Sequence, residues 1–174
     1  MSPRILIAYY SMTGNTRRIA IQLRDALGAH TADLEEVIET HPRRGVFGAV
    51  RAMLDSIFAR APSIRPLSRR PEDYALLVLG TPIWADRLAG PMRTCARTVG
   101  TRAHRVAFFS TAGSSDGARA FGELDAACQR APICTLPLTA KQLDSAASDD
   151  ILKQFARRLL EENASVASRN AARA

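Results

Sequence analysis

Six consecutive residues near the start of the chain, Ser11-Met12-Thr13-Gly14-Asn15-Thr16, bring together three hydroxyls, a carboxamide and a glycine. The loop holds no cysteine, histidine or carboxylate, so nucleophilic and acid–base work is not its trade. Binding an anion is. Hydroxyls and amides donate hydrogen bonds without demanding a cation, and a helical pattern opens directly after them. A helix start adds unpaired backbone N–H groups and the positive end of the helix dipole, a set that suits a phosphate dianion. The simpler explanation is an ordinary helix cap, because Ser, Thr and Asn favour that position. One cap needs one such residue, however, and Ser11, Thr13, Asn15 and Thr16 supply four.

Other phosphate-binding designs lack essential parts here. No Gly-Lys-Ser/Thr ending follows, so a nucleoside-triphosphatase loop is excluded, and no GxGxxG follows the first apolar run, which argues against a dinucleotide site. A phosphatase of similar layout would need a cysteine in the loop, and a response regulator would need an aspartate cluster at the strand ends.

The elements that position this loop alternate strand and helix. Ile5–Tyr9 is a continuous apolar run, as expected of a strand buried on both faces. Ile19, Leu23 and Leu27 fall at helical spacing, and Gly28 stands where a C-cap glycine belongs. Residues 32–38 mix apolar and acidic side chains and read as an edge strand. Val46, Phe47, Val50, Met53, Leu54, Ile57 and Phe58 form a helical stripe, stopped by Pro62 and Pro66. Leu76–Gly80 and Val106–Phe109 are two further buried strands, separated by a helix over about 89–99. Phe121, Leu124 and Cys128 mark the next helix. Residues 133–138 read as a last strand, with Pro137 arguing for an edge. Ile151, Leu152, Phe155 and Leu159 line a final helix. Five strands alternating with five helices predict an α/β fold, a three-layer doubly wound parallel sheet of five strands. With the second and fifth strands at the edges, the order is 2-1-3-4-5. One domain over residues 1–163 is expected, followed by a tail (164–174) that lacks apolar periodicity and should fray.

In such a sheet, ligands bind beyond the carboxyl ends of the strands, near the switch point between strands one and three. Three loops emerge there: 11–16, 81–89 and 110–117. Tyr9-Tyr10-Ser11-Met12-Thr13-Gly14-Asn15-Thr16 is similar to the phosphate loop of flavodoxins, roughly T/S-x-T-G-x-T. Gly80-Thr81-Pro82-Ile83-Trp84 resembles the second loop of that family, and Ser110–Gly117 stands where its third loop belongs.

The resemblance covers the chain to about Asn163 and implies non-covalently bound FMN. By that match, Ser11, Met12, Thr13, Gly14, Asn15 and Thr16 surround the phosphate. Pro82, Ile83, Trp84 and Ala85, with Thr111, Ala112 and Gly113, flank the flavin ring. Trp84, the only tryptophan, would stack beside it. Asp86 and Arg87 would flank the flavin or a second substrate, or simply be solvated loop charges. No side chain is required as a catalytic residue, and no metal is expected.

The departures from the family pattern bear on function. The third loop has no aromatic residue to cover the flavin. The second loop, Thr81–Asp86, has no glycine, so positive φ should be costly there. Electron-carrying flavodoxins are usually acidic, whereas this chain carries a net charge of +7. The resemblance therefore implies an FMN-binding redox protein, first an electron-transport carrier. The alternative is an oxidoreductase, an NAD(P)H-dependent quinone or related reductase; a flavin-free interaction module is a third reading. Expected partners are a redox protein, or NAD(P)H and a small quinone-like acceptor, and self-assembly into an oligomer is compatible with the sequence.

Composition sets the remaining bounds. A chain of 174 residues with 47% hydrophobic residues fills one core. No run approaches the roughly 20 apolar residues of a membrane span, no secretory leader is expected, and the protein reads as soluble and cytoplasmic. Seven arginines against Asp55 alone give residues 41–70 a charge of +6, leaving +1 for the rest of the chain. Lysine is rare, so this is either an arginine bias or a basic patch for an acidic or phosphate-bearing partner. Aromatics are scarce at 6% and no nucleic-acid motif accompanies the charge, so nucleic acid is not expected. Cys95, Cys128 and Cys134 lack metal or redox spacing and read as core fillers.

Overall fold

A computed structural model describes residues 4–41, 55, 58–145 and 147–171. Its elements in chain order are β1 (Ile5–Tyr9), α1 (Asn15–Leu27), β2 (Ala32–Glu36), β3 (Leu76–Trp84), β4 (Arg87–Leu88), α2 (Gly90–Val99), β5 (Val106–Ala112), α3 (Ala118–Cys128), β6 (Pro132–Thr139), α4 (Ala140–Leu143) and α5 (Ser148–Ala171). The sheet order is β2-β1-β3-β5-β6, and every pairing along that path is parallel. With β4 set aside, this is the order 2-1-3-4-5 read from the sequence, with the two expected edge strands at the edges. The helical stripe expected over 46–58 lies largely outside the described residues.

Strand alternation divides the interior into two cores. Leu6, Ala8 and Tyr10 face one side with Leu77, Leu79 and Phe108, against Met92 and Cys95 of α2 and Leu124 of α3. Ile5, Ile7 and Tyr9 face the other with Val78, Ala107 and Phe109, against Leu23 of α1 and Phe155 and Leu159 of α5. β1, β3 and β5 are thus covered on both faces, which is why their sequences are almost unbroken apolar runs. Gly80 makes the second core possible: a Cβ there would lie 2.1 Å from Cζ of Phe109, its register partner on β5.

Two features differ from expectation. β3 runs four residues past Gly80 to Trp84, then folds back as a short antiparallel hairpin with β4. After β6 the chain makes a one-turn helix, closed by a capping box between Thr139 and Gln142. The last helix runs through to Ala171; the residues that follow Glu162 are mostly good or tolerable helix formers. Among the described residues, no helix is long and apolar enough to cross a membrane.

The three cysteines are buried and none is in a disulfide. Burial pushes the thiols of Cys95 and Cys128 up to about 12 and that of Cys134 up to about 11. A thiol pKa raised by folding favours the folded state fully below its ordinary value of 9.0 and loses that contribution as pH climbs towards the raised value. The native protein is therefore expected to resist a thiol reagent at about pH 8, reacting at all three cysteines only after unfolding. Denaturant titrations at rising pH should show stability falling above about pH 9. Rapid labelling of any cysteine in the folded protein would contradict this burial.

Candidate functional site

β1 and β3 end side by side, with the Tyr10 N–H donating to the Gly80 carbonyl at 3.0 Å. Beyond that point the first loop turns into α1 on one face of the sheet, while β3 leads to α2 on the other. The crevice between them lies at the switch point, where the sequence placed the site.

The start of α1 bears directly on the capping explanation. Gly14 occupies the N-cap position with φ +95°, a conformation costly to any other residue, and no side chain caps the helix. The hydroxyl of Ser11 instead accepts the Gly14 N–H at 3.1 Å, closing the loop on itself. The first hydrogen bond of α1 runs from the Arg18 N–H to the Gly14 carbonyl at 2.9 Å, leaving the N–H groups ahead of it without an intrahelical partner. No acidic residue lies in the first turn, and a Cβ built on Gly14 would meet only open space. The cap explanation fails, and a positive helix end faces an open crevice.

The predicted residues divide between three cavities. Thr13 and Asn15 line a cavity of about 190 Å³ with Pro82, Ile83, Trp84, Thr111, Ala112 and Gly113. Ala85 lines a wider, more open one of about 680 Å³ with Asp86 and the third loop; the two share Ile83, Ala112 and Gly113 as a common wall. Ser11 and Met12 instead border a smaller cavity on the β2 side, and Met12 packs against the core. Thr16 is buried, its hydroxyl 2.8 Å from that of Thr111, which ties the phosphate-type loop to β5. Whichever of the two donates, one proton of the pair is left for a third acceptor, and Thr111 is the member that lines the cavity.

Trp84 is half-buried and stands edge-on to Tyr10, with ring centroids 6.0 Å apart and planes at 87°. The Tyr10 hydroxyl in turn donates to buried Glu39 at 2.7 Å. Tyr10 thus braces Trp84 from the core side, a role the sequence did not disclose. Ala140 and Leu143, also absent from the sequence-derived site, close the narrower cavity. Their signal was the Thr139-x-x-Gln142 capping box directly after the last strand.

The glycine-free second loop takes up positive φ despite the cost expected there. Ala85 and Asp86 adopt φ +49° and +60°, the two central residues of a hairpin that pairs Ile83 with Leu88 and Trp84 with Arg87. A two-residue hairpin follows the right-handed strand twist only with such a turn, at roughly 1–2 kcal/mol per left-handed residue. The hairpin is tied down in compensation: Asp86 accepts a hydrogen bond from the Ser115 hydroxyl, and Arg87 donates to Glu123 at 3.0 Å. Of the basic segment, Arg60, Arg69 and Arg70 each lie against a carboxylate: Asp55, Glu35 and Glu72. Arg43, Arg44 and Arg51 lie outside the described residues. Among the described residues, no group of His, Cys, Asp and Glu is arranged to hold a metal ion.

No family model matches this sequence, and no curated protein is detectably similar to it. Solved structures are. A flavoprotein from Lactobacillus acidophilus NCFM, solved in complex with FMN, superposes with a TM-score of 0.67 at 21% identity, covering 85% of this chain and 97% of its own. A flavodoxin, WrbA-like protein from Agrobacterium tumefaciens gives a TM-score of 0.60 at 11% identity, covering 94% and 99%. A flavodoxin from Streptococcus pneumonia TIGR4 gives 0.55 at 16%, covering 91% and 98%. The chain has the flavodoxin-like fold.

Replacing Ala85 with glycine should relieve the first left-handed position of the hairpin and raise stability by about 1 kcal/mol, less whatever entropy glycine adds to the unfolded chain. Urea titration of the two proteins checks it. A loss of stability in Ala85→Gly would mean that the hairpin is not strained at this residue.

Proposed function

We propose that this chain is an FMN-binding redox protein, acting as an electron carrier. The observation that supports the reading best is the uncapped, acid-free start of α1 behind an open left-handed Gly14. The fit to the group is direct. The N–H groups at the head of α1, with Thr13, Asn15 and the hydroxyl pair Thr16–Thr111, offer hydrogen-bond donors and no negative charge, which suits a phosphate dianion. Trp84, Pro82 and Ile83 on one side and Ala112 and Gly113 on the other would hold the flat ring. When bound, FMN supplies the redox chemistry; the protein contributes binding, orientation and shielding from water. The similarity to structures of flavodoxins, and to a flavoprotein holding FMN, supports the same reading.

One observation favours the reductase reading. The wider cavity beside Ala85 and Asp86 is lined also by Ser114, Ser115 and Asp116, which bring hydroxyls and a carboxylate but no aromatic cover. A ring held there keeps one side accessible to a second substrate, such as NAD(P)H or a quinone-like acceptor. Stopped-flow mixing of the FMN-loaded protein with NADH and NADPH separates the two. A carrier should bleach slowly with either; fast bleaching with one nicotinamide, saturating with its concentration, would establish the reductase.

The phosphate assignment is tested by titrating FMN and riboflavin while following Trp84 fluorescence, which should be quenched as the ring arrives. FMN should bind more tightly than riboflavin. Thr13→Val should weaken FMN by about ten- to a hundredfold, the worth of one hydrogen bond to a charged group at about 1.5–3 kcal/mol, and leave riboflavin unchanged. Equal affinity of the wild-type protein for the two flavins would remove the phosphate site.

A further inference from the structure

The hairpin that carries Trp84 is short, strained and peripheral, yet it must present a ring-sized surface in one orientation. Its anchorage converges on one carboxylate. Glu123 lies on α3, two turns beyond the third loop, and each of its oxygens takes a different guanidinium. Oε1 accepts from Arg87 of β4 at 3.0 Å, and Oε2 accepts from Arg93 of α2. Arg93 is almost fully buried and donates also to the Leu88 carbonyl at 3.2 Å and the Arg60 carbonyl at 2.9 Å. Both residues of β4 are therefore held, Arg87 by its side chain and Leu88 by its carbonyl. The Asp86–Ser115 hydrogen bond is a second, exposed tie between the same two loops.

We infer that Glu123 is a positioning residue: it locks the Trp84 hairpin to the helix that follows the third loop, so that both walls of the flavin site are set before the ligand arrives. The inference rests on the FMN reading for its functional meaning, though the lock itself is a property of the chain alone. The chemistry asks for a carboxylate. Two guanidinium groups offer only donors, and a carboxylate offers an acceptor oxygen to each. A glutamine has one acceptor oxygen, so its NH₂ group must face one of the arginines donor to donor. Arg93, being buried, holds its side of the carboxylate the more strongly, so the bond to Arg87 is the one lost. Glu123→Gln should therefore loosen the hairpin at Arg87 while the α2–α3 contact persists.

On the FMN reading the ring, and not the phosphate, would lie against this hairpin, and that separates the lock from the phosphate site. Glu123→Gln should weaken FMN and riboflavin by the same factor, on the order of tenfold if the hairpin must then be ordered on binding. Thr13→Val, by contrast, acts on FMN alone. In the ligand-free protein, Trp84 fluorescence anisotropy should fall and amide exchange over residues 83–88 should quicken, with exchange in β1 and β3 up to Gly80 unchanged. Arg87→Met, which cuts the outer arm without stranding a buried charge, should reproduce these effects even if Glu123→Gln folds poorly. Wild-type affinity for both flavins with unchanged hairpin exchange in either folded variant would overturn the inference. So would exchange that rises uniformly along the chain, the mark of a merely structural role. If the wild-type protein binds neither flavin, the FMN reading fails, while the anisotropy and exchange measurements still decide whether Glu123 locks the hairpin.

Discussion

The whole site depends on the Tyr10 N–H donating to the Gly80 carbonyl where β1 and β3 end. Up to that bond the two strands are covered on both faces and have no freedom. Past it they part, one chain turning to the α1 face and the other continuing towards the α2 face. A crevice must open where two adjacent parallel strands send their connections to opposite sides. What fills the crevice is then decided by what each chain does in its next few residues. The first makes a left-handed turn at Gly14 and starts a helix with its N–H groups exposed. The second keeps going as a strand to Trp84, with Phe109 packed against Gly80 where the two chains part.

The continuation of β3 creates the mechanical problem that the ties around Glu123 answer. An extended segment leaving the sheet could turn back gradually or at once. It turns at once, through Ala85 and Asp86, at a conformational cost that glycine would have avoided. What the chain gains is rigidity. A glycine turn has many conformations to choose from, whereas two side-chain-bearing residues forced left-handed have few. Tyr10 braces Trp84 from below, Glu123 holds Arg87, and Ser115 holds Asp86. The strain is local, and the restraints are spread over the core, α3 and the third loop.

This distribution explains what could and could not be read in the sequence. β1, β3 and β5 announce themselves as apolar runs because burial on both faces leaves few polar positions, and those (Thr81, Ser110 and Thr111) fall towards the carboxyl ends. The first loop announces itself because its polar residues exceed what a cap needs. The hairpin is silent: its turn lacks the Asn-Gly or Asp-Gly signal, and its strand β4 is too short to show alternation. The side of the loop on which Ser11 and Met12 fall is equally silent, since loops have no period from which a facing direction could be read. Arg93 and Glu123 look like ordinary charges on helix surfaces. Only the packing of α2 against α3 brings them together and buries the arginine, and nothing local in either helix encodes that meeting.

The side chains that line the two joined cavities limit what the chain itself can contribute. They are apolar groups, hydroxyls, the amide of Asn15 and the carboxylates of Asp86 and Asp116. Both carboxylates already have work in the backbone architecture: Asp86 accepts from Ser115, and Asp116 accepts the Ala118 N–H at 3.0 Å at the head of α3. A carboxylate engaged in this way holds a loop in place and is a poor candidate for moving protons in a reaction. On the proposed reading, selection among electron donors and acceptors then falls to shape. The one wall is a braced tryptophan on a locked hairpin; the other is Gly113, where a Cβ would meet nothing within 4 Å. The asymmetry between a fixed wall and an open one is what this chain brings to the chemistry of its ligand.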